Sequence, residues 1–299
     1  MAMTDTTIAP DAAPAPRRPR SDAWRGWLAV LPALSWTALF FVVPFAVMAV
    51  YSLWARVDGE IVAAWDFRNY AQFLEKPHFR EALWNSLEVT ASVTVISILL
   101  AYPLAWTIAT KVAPRWQRLC LVLAILPFWT SYVVRSYSWL LVLSKKGLVN
   151  RTLMDWGLID MPLDLANTRV ATVIGFTHFF VMLLTLTIYA NLVQLSPNYR
   201  RAAADLGAHA WQTFRHVILP LTLPGVMVGA FLTFVLCLGD YITPEILGGG
   251  NELVLPQLIM TQIERRADFP AASAMSLILM AVVTLAWLAS AKWLKLDRA

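Results

Sequence analysis

Three ionisable side chains fall where the sequence is otherwise apolar. Asp240 stands between Gly239 and Tyr241 at the end of one long apolar run, Arg135 interrupts a second, and Glu88 lies near the start of a third. A charge at bilayer depth costs about 2.5–3.5 kcal/mol on insertion scales, so such a residue marks a place where the chain does something. A carboxylate next to aromatic rings suits a cation, because the acid attracts it and the rings add cation–π attraction of about 0.5–2 kcal/mol. Asp240 with Tyr241 fits that chemistry; it fits equally a residue that caps a helix end or faces water. A guanidinium at 135 has the wrong sign for a cation path and reads as the partner of an acid, Asp240 or Glu88. It lies in the stretch Leu126-Pro-Phe-Trp-Thr-Ser-Tyr-Val-Val-Arg-Ser-Tyr-Ser-Trp139, whose proline, hydroxyls and aromatics exceed what a plain anchor needs. Asp240, Tyr241, Arg135, Tyr137, Trp139 and Glu88 are therefore the candidate lining of a translocation pathway, with an interfacial position the other reading of Glu88. His178 reads as a hydrogen-bonded core or interface histidine in preference to a proton relay.

Nothing in the sequence supplies a catalytic set. It contains no GxSxG, no HExxH and no Cys–His arrangement. It also lacks the GxxxxGK[ST] phosphate loop, so any ATP hydrolysis belongs to another chain. Cys120 and Cys237 make no CxxC pair and no metal-ligand spacing, and read as buried structural thiols.

The elements that must position these residues are membrane helices. Of 299 residues, 59% are hydrophobic and only 14% charged, against about 25% charged in a soluble domain. Charge-free runs at 26–55, 89–110, 170–199, 217–239 and 269–291 each approach or exceed the roughly 20 residues that span a bilayer. A sixth at 119–144 is interrupted by Arg135. Runs of this length exclude an outer-membrane barrel, whose strands are about 9–11 residues long. The expectation is an all-α polytopic membrane protein with six transmembrane helices. Helices are expected at about 83–110, 169–193, 219–242 (ending at Pro244) and 270–294. The apolar stretch 253–263 is too short to cross and reads as an interfacial or gate helix. The segment 56–80 is expected as an external loop whose Trp65, Phe67, Tyr70 and Phe73 meet the membrane interface or a partner. Residues 1–25 form a Pro-rich polar tail without the apolar surface to fold, 26–294 the transmembrane domain, and 295–299 a C-terminal tail. The run 26–55 is too long for the core of a cleaved signal peptide.

Charge sets the orientation. Lys and Arg concentrate on the cytoplasmic side. With both termini inside, Lys111, Arg115, Arg118, Arg200, Arg201 and Arg215 fall in short, acid-poor cytoplasmic loops, with Arg17, Arg18, Arg20, Arg25, Lys292, Lys295 and Arg298 in the tails. The opposite loops hold most of the acids, including Asp58, Glu60, Asp66, Asp155, Asp160, Asp164 and Glu252.

One cytoplasmic loop, at 196–220, is unusual. After Arg201, residues Ala202, Ala203, Ala204, Asp205 and Leu206 form a short helix of good helix formers, Gly207 permits a sharp turn, and a second short helix at 210–217 is amphipathic through Trp211, Phe214 and Val217. Asp205 caps the turn or pairs with a basic residue, and Pro220 marks re-entry into the membrane. The loop resembles the EAA loop of ABC importer permeases, Glu-Ala-Ala-x3-Gly-x9-Ile-x-Leu-Pro. Ala202, Ala203, Gly207, Leu219 and Pro220 match in place, Val217 replaces the Ile, and Arg201 departs from the Glu.

The stretch 126–139, Gly147-Leu-Val-Asn150, Gly157-Leu-Ile-Asp160 and Gly239-Asp-Tyr-Ile-Thr-Pro-Glu-Ile-Leu-Gly-Gly249 are similar to the spermidine/putrescine permease branch, and the similarity covers most of 27–294. The resemblance implies a type I ABC importer permease fold in a bacterial inner membrane. It implies a second permease subunit, an ABC ATPase dimer and a periplasmic substrate-binding protein as partners beside the lipid bilayer, and no nucleic acid. ATP and Mg would sit on the ATPase, with no cofactor or metal on this chain. The implied solute is a polyamine; relatives of the branch carry iron, sulfate, phosphonates or opines. A secondary transporter would need coupling-ion sites and usually internal repeats, and neither is evident.

Overall fold

A computed structural model describes residues 23–250 and 253–294; most of the expected N-terminal tail and all of the tail at 295–299 lie outside these. Residues 23–47 and the chain from Met48 onward are two units. The first is helical: α1 (Ala23–Thr37), a π turn (Ala38–Val42) and the start of α2 (Val43–Tyr51). Pro44 explains the π turn. A proline collides with the carbonyl four residues back and offers it no N–H. Widening the turn, so that Val43 N–H reaches Ala38 O, makes room.

In the second unit the expected loop at 56–80 is partly ordered. Strands β1 (Ala55–Val57) and β2 (Glu60–Val62) form a hairpin around Asp58 and Gly59, both at positive φ (51° and 91°), as a two-residue turn of this hand requires. Next comes α3 (Arg68–Glu75). Its Phe73, 3% exposed, is a core residue and not an interface aromatic as expected. It stacks on Phe79 at 5.9 Å, whereas Trp65 and Phe67 are exposed as the interface reading requires.

Helix α4 (Pro77–Thr110) starts six residues before the expected 83, because Pro77 is pre-organised for a first turn and the charges at 80 and 81 do not break a helix. After α5 (Pro114–Ile125) and a 3-10 turn (Leu126–Trp129) comes α6 (Tyr132–Leu143). The expected third span is therefore not straight. The chain bends by 91° between 114–129 and 132–155, where Pro127 and an extended Ser131 (ψ 135°) break the ladder. Among the described residues five helical segments have the length and composition to cross a membrane, and the bent pair raises the number to six if it is one span.

α7 (Leu148–Asp155) is tethered by the buried Asn150, which bonds Ser144 O, Leu163 O and Leu163 N. α8 (Arg169–Gln194) follows, its first turn capped by Thr168. Then come α9 (Asn198–Asp205), α10 (Ala210–Thr213), a second π turn (Phe214–Ile218) and α11 (Leu219–Leu238). The expected second loop helix and fifth span are one continuous helix, 210–238. The π turn before Pro220 absorbs that proline as the first absorbs Pro44. α11 ends at Leu238 and not at 242, and Pro244 lies inside α12 (Ile242–Leu247); in a first turn the missing N–H has no partner to lose. α13 (Leu255–Glu264), the expected short helix, packs on α4 and α14 (Phe269–Leu294). Ser86 Oγ accepts Leu255 N–H at 2.7 Å.

α8 is the centre of this unit, packed on α4 and α11. Ala101, Ala105, Leu184 and Ile188 are fully buried there, and Tyr102 Oη pairs with Thr222 Oγ1 at 2.9 Å. Gly225 and Gly229 of α11 set the approach, in the small-xxx-small spacing of membrane helix contacts. A Cβ on Gly229 would lie 2.9 Å from Leu184 Cδ2, and one on Gly225 would run into the Asn191 side chain. Gly229→Leu is expected to cost about 1–3 kcal/mol by overpacking, read as reduced yield of detergent-stable protein with insertion intact; unchanged yield and melting would overturn the packing assignment.

Candidate functional site

Two constellations lie at opposite ends of α11, whose 20 residues separate them by about 30 Å. At its N-terminal end, α9 and α10 form an elbow. Gly207 adopts φ +81°, a left-handed conformation that costs other residues about 1–2 kcal/mol. Its N–H bonds Ala204 O at 2.9 Å, and Ala208 N–H bonds Ala203 O at 3.0 Å, closing α9. The other side is pinned by a capping box: His209 Nδ1 accepts Gln212 N–H, and Gln212 Oε1 accepts His209 N–H at 3.1 Å. Histidine is an uncommon cap, which is why the sequence pattern does not reveal it. Asp205 neither caps the turn nor pairs with a basic side chain among the described residues; the His209 box does the capping.

Arg201, Ala202, Ala204, Asp205, Leu206, Gly207 and Pro220 are exposed, Ala203 is buried, and Val217 and Leu219 are half-buried. Leu206 is 88% exposed, an apolar tip with nothing of this chain over it. Ala202, Ala203, Leu206 and Gly207 face Gln212 and His216 across an open groove. Behind the elbow Phe214 meets Tyr102 and Trp106 edge-on at 5.6 and 5.5 Å, Trp211 stacks on Phe214 at 5.4 Å, and Arg200 lies 5.0 Å from the Trp106 ring centre. These contacts anchor the elbow to α4, a helix of 34 residues.

At the other end Asp240 joins α11 to α12. Its Oδ1 accepts Ile242 N–H at 2.9 Å, which caps α12, and its other oxygen accepts the hydroxyl of Tyr132 in a short hydrogen bond. Tyr132 also meets Thr243 Oγ1. The aromatic beside the acid is thus Tyr132 of α6, with no such bond from the adjacent Tyr241; long-range pairing of this kind leaves no trace in sequence spacing. Neither expected acid partners Arg135. Glu88 pairs with Arg169 at 3.1 Å, and Arg169 also donates to Asn85 Oδ1 at 2.8 Å. Arg135, 8% exposed, donates through Nη2 to Thr130 O at 3.1 Å and lies over the rings of Phe179 and Tyr132 at 5.0 and 5.7 Å. Trp139 donates to His178 Nδ1 at 3.1 Å, which gives His178 the hydrogen-bonded place expected for it. Tyr137 is exposed and stands apart from this cluster.

The described residues thus form a bundle of long apolar helices with an exposed elbow at one end of α11 and buried polar groups at the other. The model of the family described as binding-protein-dependent transport system inner membrane component matches residues 22–295, and the chain belongs to that family. It is 32% identical over 253 residues to the spermidine/putrescine transport system permease protein PotB of Haemophilus influenzae, covering 84% of this chain and 87% of that one. It is 31% identical over 257 residues to PotB of Escherichia coli, covering 86% and 93%. Among solved structures, a bacterial ABC transporter that imports the acidic polysaccharide alginate superimposes with a TM-score of 0.73 at 16% identity, over 92% of this chain and 96% of the other. The fold is that of a type I ABC importer permease, and the protein is a multi-pass inner-membrane component.

Proposed function

We propose that this chain forms, with a second permease subunit, the channel of an ATP-driven importer that moves a polyamine from periplasm to cytoplasm by alternating access. The polyamine assignment is supported by the PotB relatives, which are spermidine/putrescine permeases by name. The observation that carries the coupling is the exposed elbow, a rigid turn with an apolar tip at Leu206 and a helix-to-helix connection to the bundle core. An ABC ATPase dimer would dock there, holding ATP and Mg itself, with Arg201 free to meet it where the family loop carries an acid. The charge distribution of the loops supports a cytoplasmic elbow with both termini on the same side. The Asp240 end then faces the periplasm, where a substrate-binding protein delivers the solute. Asp240 and Tyr132 supply an acid and a ring for an ammonium group, with Glu88, Tyr137, Trp139 and Tyr241 as further lining.

The test is co-expression of a tagged chain with the neighbouring transport genes in proteoliposomes. An ATPase should co-purify, and spermidine-loaded binding protein should stimulate it more than protein loaded with other solutes. A folded chain that brings no ATPase with it would sink the coupling; stimulation by a different solute alone would sink the polyamine reading.

A further inference from the structure

The guanidinium of Arg135 is a buried charge that no described residue balances. Nη2 has a carbonyl and the plane has two rings, but Nε and Nη1 are buried with no hydrogen-bond partner. The two acids expected to pair with it have other partners, Glu88 in Arg169 and Asp240 in Tyr132 and Ile242 N–H. The arginine lines a cavity of about 310 Å³ with Thr130, Ser138, Trp139 and His178, and no carboxylate lines it. Of the other polar groups on that wall, His178 can add a donor, whereas the two hydroxyl oxygens are left as acceptors. Trp139 N–H occupies Nδ1 of His178, so a neutral His178 carries its hydrogen on Nε2. Ser138 and Thr130 spend their hydroxyl hydrogens on Val134 O and Pro127 O. A cation in the wall of such a cavity is complementary to a carboxylate, which the guanidinium, once turned toward the cavity, would bind through two parallel hydrogen bonds. At membrane depth an arginine is retained where it has a partner.

We propose that this cavity receives a carboxylate side chain from the second permease subunit, so that Arg135 pairs across the interface between the two. The inference rests on the chain acting beside a second permease. A polyamine has no carboxylate to offer, which assigns the anion to protein. The row of α6 beside Arg135, with Val134, Tyr137 and Leu141 at 60%, 53% and 71% exposed, is uncovered among the described residues.

The test uses the co-expressed importer. Each Asp and Glu in the membrane segments of the second permease is changed to Asn or Gln, in the wild type and in Arg135→Met, and the second permease retained through purification is measured. One acid is expected whose neutralisation cuts retention at least fivefold beside wild-type Arg135 and causes no further loss beside Arg135→Met. Arg135→Glu combined with Lys at that acid should restore retention. If no acid shows this non-additive loss, the proposal fails. It fails too if Arg135→Met keeps full retention but raises the KM for solute tenfold, which puts the contact on the solute. Should Arg135→Met not insert, the scan beside the wild-type chain and the reversed pair still decide. A wild-type chain that never retains a second permease would instead refute the functional reading beneath.

Discussion

Gly207→Pro should reduce ATP hydrolysis stimulated by loaded binding protein at least tenfold while leaving membrane insertion and yield unchanged. Two features of one residue produce this. Its φ of +81° is inaccessible to proline, whose ring fixes φ near −65°. Its N–H, bonded to Ala204 O, is the donor proline lacks. The turn between α9 and α10 must then re-form, and Leu206 at its tip moves with it. The core is untouched, because a Cβ at 207 meets nothing within 4 Å. That open space supplies graded controls. Gly207→Ala adds only backbone strain of about 1–2 kcal/mol. Gly207→Asn tolerates the left-handed region and should keep most of the stimulation. The order Asn above Ala above Pro in stimulated ATPase, at equal protein per vesicle, identifies the elbow's geometry as the coupling element. Equal stimulation in all three would mean that the ATPase reads some other surface.

What the sequence discloses depends on the range of the interaction that decides each feature. α8 is legible to within a residue because composition, a Thr168 cap and the absence of proline agree over its whole length. The elbow is legible because a glycine and small residues at fixed spacing carry it locally. The hairpin at 55–62 was present as Asp58-Gly59, a strong turn signal that an expectation of irregular external loop passed over. The early start of α4 was hidden because hydropathy registers the end of the hydrocarbon and not the end of the helix. Proline positions were visible, but their consequences differ with context: Pro44 and Pro220 follow π turns, Pro127 accompanies a 91° bend, and Pro244 sits harmlessly in a first turn. The partners of Asp240 and Glu88 come from α6 and α8, 108 and 81 residues away in the chain. Nothing local encodes such pairings.

The two roles open to Asp240 separate under substitution, and the charge is expected to be the larger effect. Asp240→Asn keeps a carbonyl oxygen for the Ile242 N–H and so keeps the α12 cap, while removing the negative charge. Its amide can face the Tyr132 oxygen, whose own hydrogen then turns to Thr243. The local fold is therefore preserved, and a change in transport reports on charge. For a solute carrying ammonium groups, loss of the carboxylate should raise the KM for spermidine uptake about tenfold, equivalent to about 1.4 kcal/mol, close to the lower end of what a hydrogen bond to a charged group contributes. Melting should stay at its wild-type value. Asp240→Ala removes cap and charge together, and should add about 1 kcal/mol of destabilisation to the same rise in KM. Wild-type uptake in Asp240→Asn, with loss of melting temperature confined to Asp240→Ala, would reduce Asp240 to a helix cap. The cation would then be met elsewhere in the channel, and the acid would serve only to lock α11, α12 and α6 into one corner through Tyr132.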